Sequence, residues 1–393
     1  MNDAVSLQAT PVKWLQTPIG VGLFQPRALF DDLHNRLCYI LENGSPIIAS
    51  DLPLAPPMSK RKSTIYDLAR LADVSASTVS AVLSGRWRER RIADTTAQRV
   101  QALAAQHTFS VNRQASGLRT SRSGLIGMII PLHDNRFFSG MAQVFEKLAR
   151  ERHLYPIVVS TLRDAALELE TVRTLISYRV ECLLVAGATD PDAISDVCKS
   201  HGVAHVNVDL PGSKAMSVIS DNFWGAQQLT QGLIARSKPV RAAKRNRPYF
   251  LGGLASDYAT RRRIEGFSDV VRSSLGAVDP AQVDACGYEA DLAEAATASL
   301  CKRLGGLPRA LFVNSTIALE GVVRFLKTLP HAELERCTFG CYDWDPFASM
   351  LSFPLLMVRQ DIDGLLGGAF AIIDAGTAEP PRIIEIRPQL VFF

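Results

Sequence analysis

The 393-residue sequence predicts a small all-α helix-turn-helix head followed by a two-lobed α/β core with parallel sheets. Three observations lead there. The positive charge excess is confined to one short block near residues 59–122. That block carries the capping residues and apolar spacing of short helices. Beyond residue 124, apolar strand-like runs alternate with amphipathic helical segments, the grammar of repeated β-α-β units.

Composition bounds the rest. At 47% hydrophobic and 21% charged residues the chain is an ordinary globular one, long enough for two to three domains. Its longest apolar run, LIGMIIPL (125–132), is broken by Gly127 and Pro131 and falls far short of the ~20 residues of a membrane helix, so no membrane partner is expected. The first thirty residues carry Asp3 early and lack the basic start and apolar stretch of a secretory signal. Seven cysteines, an odd number without any C-x-x-C, suit reduced and mostly buried thiols in a cytoplasm rather than a disulfide frame or a metal site.

The first 58 residues hold three basic and five acidic side chains and are dotted with proline, so they read as a poorly ordered extension. Met58 directly before SKRKST makes an upstream over-read one account of residues 1–57, and a regulatory tail the other. Residues 59–122 hold twelve basic side chains against four acidic, a net +8 in a chain of +4 overall. Such a field suits a polyanion, although a solvated pair of surface helices would carry it too.

The head is expected over 59–110. Ser63 or Thr64 can cap a first helix through Ile65, Leu68, Ala69, Leu71 and Ala72. Asp73–Val74–Ser75 makes a tight turn. Ser75 or Ala76 then starts a second helix, through Thr78, Val79, Val82 and Leu83, that stops at Gly85. After the basic loop RWRERRIAD, Asp94 or Thr95 caps a third helix, TTAQRVQALAAQHT. The small Ala69 and Ala72 fall where two helices must cross closely, as in a helix-turn-helix; a plain three-helix bundle is the alternative.

The core is expected over 124–393. Its strand-like runs are LIGMIIP (125–131), YPIVVST (155–161), ECLLVAG (181–187), HVNVD (205–209), PYFLGG (248–253), ALFVNS (310–315), CTFGCYD (337–343) and LLMVRQD (355–361). No GxGxxG or GxxxxGK[ST] appears, and about 270 residues is too long for one simple sheet. Two lobes follow: about 124–221 plus 361–378, and about 222–358 plus 380–393. In such sheets ligands sit at strand C-termini. Those ends supply Asn135, Arg136 and Phe137, then Asp209, Asn314, Asp343 and Gln360, with Arg263 early in a helix. Carboxylates and amides pair with ligand hydroxyls, a guanidinium fork holds two oxygens or a phosphate, and an aromatic ring covers an apolar ligand face.

TIYDLARLADVSASTVSAVLSG (64–85), RIADTTAQRVQALAAQHTFSVNRQASGLRTSRSGLIGMIIP (91–131), YATRRRIEGF (258–267), ALFVNSTIALEGV (310–322), FGCYDWDPF (339–347) and LLMVRQD (355–361) occur in order. Together they resemble the landmarks of LacI/GalR-type transcriptional regulators across about 63–393. The long loop after Gly85 and the glycine in ASGL resemble the fructose catabolite repressor branch. The resemblance implies a periplasmic-binding-protein-like core, a cytoplasmic homodimer, a near-palindromic double-stranded DNA operator and a sugar or sugar-phosphate effector, with no cofactor or metal. It places DNA contacts at Thr64, Tyr66, Ser75, Ala76, Ser77, Thr78, Ser80 and Ala81, with Arg86 and Arg88 in the loop. Arginine is common where Ala81 stands, so base reading is expected to lean on Ser77 and the basic loop.

The stretch VNRQASGLRTSR (111–122) resembles the family's hinge, expected over 111–123. It implies contacts from Asn112, Arg113, Ala115, Leu118 and Arg119, with Leu118 as the minor-groove wedge. Effector contacts implied in the core are Asn135, Arg136, Phe137, Asp209, Arg263, Asn314, Asp343 and Gln360. The fructose branch points to fructose 1-phosphate, its anion met by Arg263 and Arg136, while two nearby acids argue equally for a neutral sugar. Two other classes stay open: a sugar receptor without a DNA role, and a sugar-acting enzyme, for which neither HExxH nor GxSxG appears.

Overall fold

Short polar caps define the head. A computed structural model describes residues 64–107, 109, 122–238, 244–376 and 380–392. The extension 1–58 and the hinge residues Asn112, Arg113, Ala115, Leu118 and Arg119 therefore lie outside the described residues. The chain divides into two compact units, 1–109 and 110–393. In the first, Thr64 caps α1 (Ile65–Leu71) through a capping box with Asp67, and Ser75 caps α2 (Ala76–Leu83) by accepting from the Thr78 N–H. With α3 (Asp94–Gln106) these helices bury Leu68, Ala72, Val79, Val82, Ala97 and Val100 in one core.

The cap expected for α3 is different. Ala93 occupies the cap position without a side-chain bond, and Asp94 instead accepts from the Trp87 indole N–H at 3.1 Å. Trp87 and Ile92 pack against the head core, so their side chains pin the basic loop between α2 and α3.

The second unit holds two six-stranded sheets and a small antiparallel pair, Gly253–Leu254 with Cys286–Gly287. The first lobe runs β1 (Leu125–Ile130), α4 (Arg136–Glu151), β2 (Tyr155–Ser160), α5 (Ala165–Ser177), β3 (Cys182–Ala186), α6 (Pro191–Ser200), β4 (Ala204–Val208) and β5 (Ser217–Ser220). The chain then crosses into α7 (Asn222–Ser237), β6 (Pro248–Leu251), β7 (Gly253–Leu254) and α8 (Tyr258–Leu275). It continues through β8 (Val283–Asp284), β9 (Cys286–Gly287), α9 (Ala290–Leu304), β10 (Ala310–Val313) and α10 (Thr316–Leu326). A short α11 (His331–Leu334), β11 (Thr338–Tyr342) and β12 (Leu355–Arg359) complete that passage. Last come α12 (Ile362–Ala375), β13 (Ile383–Ile386) and β14 (Gln389–Phe392).

The strand orders are β13-β5-β4-β3-β1-β2 and β14-β12-β11-β10-β6-β8. Pairing is parallel throughout except for β14, which runs antiparallel to β12. Fully buried strands such as LLV in β3 and LFV in β10 are apolar because helices cover both faces. α12 packs on the first lobe, burying Leu365, Leu366, Ala369 and Phe370 with Ile126, Met128 and Val206.

One boundary differs from the sequence division. Residues 380–393 were assigned wholly to the second lobe, but β13 pairs with β5 of the first sheet and only β14 joins the second. The chain thus crosses between lobes three times: after β5, after β12 and between β13 and β14.

Candidate functional site

The two strand orders repeat one another, so β4 and β11 hold corresponding places, third in their sheets. Each is followed by an aspartate. Asp209 and Asp343 are both 7% exposed, with left-handed backbone at φ 72° and 74°. Such a conformation is uncommon for non-glycine residues and least unfavourable for Asp and Asn. It turns two matching carboxyls into one cleft.

Arg263, on the first turns of α8, is buried with them. Its Nε donates to Asn222 Oδ1 at 2.8 Å and its Nη1 to the Asn314 carbonyl at 2.7 Å. Its guanidinium lies 3.6 Å from the centre of the Tyr342 ring. These contacts fix the fork. Burial pushes the Asp209 carboxyl up to about 7, with Arg263 pulling the other way. Burial raises Asp343 as well, against Arg263 and the amide of Gln360, whose Nε2 donates to Asp343 Oδ1 at 2.5 Å.

A second polar group faces them. Asp257 caps α8 by accepting from the Thr260 N–H at 2.6 Å, and its other oxygen accepts from Tyr288 Oη at 2.6 Å and Thr260 Oγ1 at 2.9 Å. Gly253, at φ 80°, permits this closeness: a Cβ there would lie 2.3 Å from Asn314 Nδ2 and 2.4 Å from Thr260 Oγ1. Three polar atoms, Asn314 Oδ1, Gln360 Oε1 and Arg163 Nε, are buried without a hydrogen-bond partner. Orphaned buried polar atoms are rare, and clustered at strand ends they ask for a ligand. The cavity is about 30 Å³, room for a water or two, so a sugar-sized ligand must part the lobes to enter.

Of the residues expected from the sequence, Asn135, Phe137, Asp209, Arg263, Asp343 and Gln360 line this cavity, and Asn314 borders it through Arg263. Asn135 also caps α4, accepting from the Phe137 N–H. Arg136 is a correction. Its Nε pairs with Asp345 Oδ2 at 3.0 Å across the lobes, at the cleft rim rather than inside it. Arg136, the first residue of α4, follows the capping Asn135 directly, and its exposed side chain reaches Asp345 while Asn135 stays buried. The sequence reading missed Arg163, Asp257, Tyr288 and Ser315. Asp257 was legible as a helix cap in SDYATRR. Arg163 and Tyr288 belong to turns whose direction no local pattern reveals.

In the head, Thr64, Tyr66, Ser75, Ser77, Arg86 and Arg88 are exposed, Tyr66 by 75%. Ser75 Oγ bonds Ser77 Oγ at 2.7 Å and Thr78 Oγ1 at 2.9 Å, so these hydroxyls are held at the start of α2. Thr78 and Ser80 are partly buried. Ala76 packs against the head core, and Ala81 is buried, its carbonyl accepting from the Arg86 N–H at 2.9 Å. The folding of the basic loop back onto α2 covers Ala81, so its placement does not support its reading as a groove contact.

The description of bacterial regulatory proteins of the lacI family matches residues 64–112, and that of periplasmic binding proteins and the sugar binding domain of the LacI family matches residues 123–328. The chain belongs to the LacI family. It is a DNA-binding transcriptional regulator that responds to a sugar-class effector; family members are regulators and not enzymes. Among relatives of this LacI-family chain, the ribitol operon repressor of Klebsiella aerogenes is 50% identical over 177 residues, 45% of this chain and 66% of that repressor. The sucrose operon repressor of Klebsiella pneumoniae is 30% identical over 339 residues, 84% of this chain and 99% of that repressor. Among solved structures, the Lac repressor dimer bound to operator and the anti-inducer ONPF superposes with TM-score 0.70 at 19% identity, covering 84% and 98% of the two chains. The Cra transcriptional dual regulator of Pseudomonas putida with fructose 1-phosphate gives 0.60 at 20% identity, covering 68% and 98%. Among the described residues no helix is long and apolar enough to cross a membrane.

Proposed function

We propose that the regulator's cleft takes a neutral open-chain polyol, with ribitol the first candidate, and that its occupancy loosens a homodimer from a near-palindromic operator in the cytoplasm. The charge of the cleft carries this reading. Asp209, Asp257 and Asp343 face Arg163 and Arg263, three carboxyl groups against two guanidinium groups. Hydroxyls donate to carboxylates and accept from arginine, whereas a phosphate would bring nearly two further negative charges beside three acids. The fructose 1-phosphate expected from the branch resemblance fits less well, because Arg136, its second cation, is committed to Asp345 at the rim. The relative named for a ribitol operon supports the polyol, and the fructose 1-phosphate complex supports a phosphate as second reading.

Two readers on a C₂ dimer span successive turns of DNA, and Leu118 supplies the wedge between them. Calorimetry with ribitol, fructose and fructose 1-phosphate tests the effector. Micromolar binding of the phosphate with none of the polyol overturns the reading. Gel shift on the DNA upstream of the chain's own reading frame, with and without the bound compound, tests the switch.

A further inference from the structure

The turn after β2 holds strained backbone. Leu162 and Arg163 both hold left-handed backbone, φ 54° and 58°, and neither is glycine. Leu162 is 66% exposed, so the turn does not serve to bury it. The turn is held by its backbone: Leu162 N–H donates to the Pro131 carbonyl at 2.8 Å, and the Arg163 carbonyl accepts from Thr189 Oγ1 at 3.3 Å. The turn seats Asp164, which caps α5 by accepting from the Ala166 and Leu167 N–H groups, and it delivers the Arg163 side chain.

That side chain crosses the cleft. Its guanidinium lies 4.7 Å from the centre of the Tyr288 ring, in the other lobe. Tyr288 cannot swing away, because its hydroxyl is bonded by Asp257 and Thr260. Arg163 follows β2, at the edge of the first sheet, and Tyr288 follows β9, which pairs with β7 in a separate two-stranded sheet. Stacking fixes the guanidinium plane, yet its Nε is buried without a partner, close enough to Asp209 for its charge to act on that carboxyl. Buried donors are ordinarily satisfied, so this one is open to an acceptor that a ligand would bring.

We infer that Arg163 is a specificity-determining residue of the cleft, donating Nε–H to a ligand oxygen and tying that contact to closure through Tyr288. The inference rests on the polyol reading, in which we take the acceptor to be a terminal hydroxyl of ribitol. A ligand one carbon shorter than ribitol forgoes that contact.

The experiment is calorimetry on the full chain with ribitol and erythritol, in wild type, Arg163→Ala and Arg163→Lys. Arg163→Ala is expected to weaken ribitol by tenfold or more while changing erythritol by less than threefold, collapsing the preference between them. Arg163→Lys keeps a charge near Asp209 but loses the flat stack and the Nε–H, so the same collapse is expected; it also guards against an alanine variant that fails to fold. A purely structural arginine would weaken both polyols equally, and that result, or ribitol binding within twofold of wild type in both variants, overturns the inference. If wild type binds fructose 1-phosphate and neither polyol, the polyol reading falls. Arg163 is then judged on that ligand: a tenfold loss in both variants sustains its role as a donor, and affinity within twofold removes it.

Discussion

Asp209 shows how one buried side chain links stability, pH and binding. Its carboxyl sits at about 7 in the fold against 3.8 for an ordinary aspartate. Between those values the folded chain keeps a proton that the unfolded chain has released. Stability therefore falls as pH rises from 4 towards 7 and levels off above it. Replacing Asp209 by Asn removes the buried charge, so urea melts should show the variant more stable than wild type at pH 8, by up to about 4 kcal/mol, with the gap closing by pH 4. The same variant should lose effector binding in calorimetry, since an amide cannot replace a charged acceptor for ligand hydroxyls. A variant less stable than wild type at pH 8 would contradict the assigned burial penalty. The carboxyls themselves were readable from VNVD and GCYD at strand ends; their shared backbone conformation and their raised affinity for protons were not, because burial in the folded cleft, not local sequence, holds the protons.

Elements decide how the basic surface is presented. The loop between α2 and α3 looked like free, charged chain, yet Trp87 and Ile92 anchor it and Arg88 stacks 5.2 Å from the Trp87 ring centre. Trp87→Ala should lower head stability by about 1–2 kcal/mol, the loss for a half-buried aromatic, and weaken operator binding together with it. Urea titration and gel shift on the full chain check both; unchanged operator binding would detach the loop from DNA contact. Helices with Ser, Thr or Asp caps were legible because caps and periodicity are local. The short β5, β8, β9, β13 and β14 were not. SVIS and IIEI have too few residues to show a period, and they become strands only because a neighbouring edge offers backbone partners.

Across the whole molecule, the chain crosses between the lobes three times, and the Arg136–Asp345 pair spans the rim. Arg136 is 45% exposed, and Arg136→Ala is expected to shift the melting temperature little while speeding effector release a few-fold, because an exposed pair contributes only about 0–1 kcal/mol. Stopped-flow displacement reads the rate; an unchanged rate would mean that the pair is not a closure contact. The coupling between cleft and head must also be reciprocal. Whatever factor the effector takes from operator affinity, saturating operator must take from effector affinity. Calorimetry with and without operator measures the second factor and gel shift the first, and unequal values would show that they report different states.

By itself the sequence determined the domain order, the helix-turn-helix with its caps, eight strands of the core and most of the polar residues at their ends. These depend on periodicity, punctuation and charge within a few neighbours, which a linear reading contains. Only the tertiary structure decided that Asp209 and Asp343 face one another, that Arg136 leaves the cleft for its rim, and that Arg163 enters it to meet Tyr288. It also decided that β13 and β14 part to different lobes. Each of these results from residues distant in sequence being brought together, and the burial and charge that follow are properties of the meeting rather than of either residue.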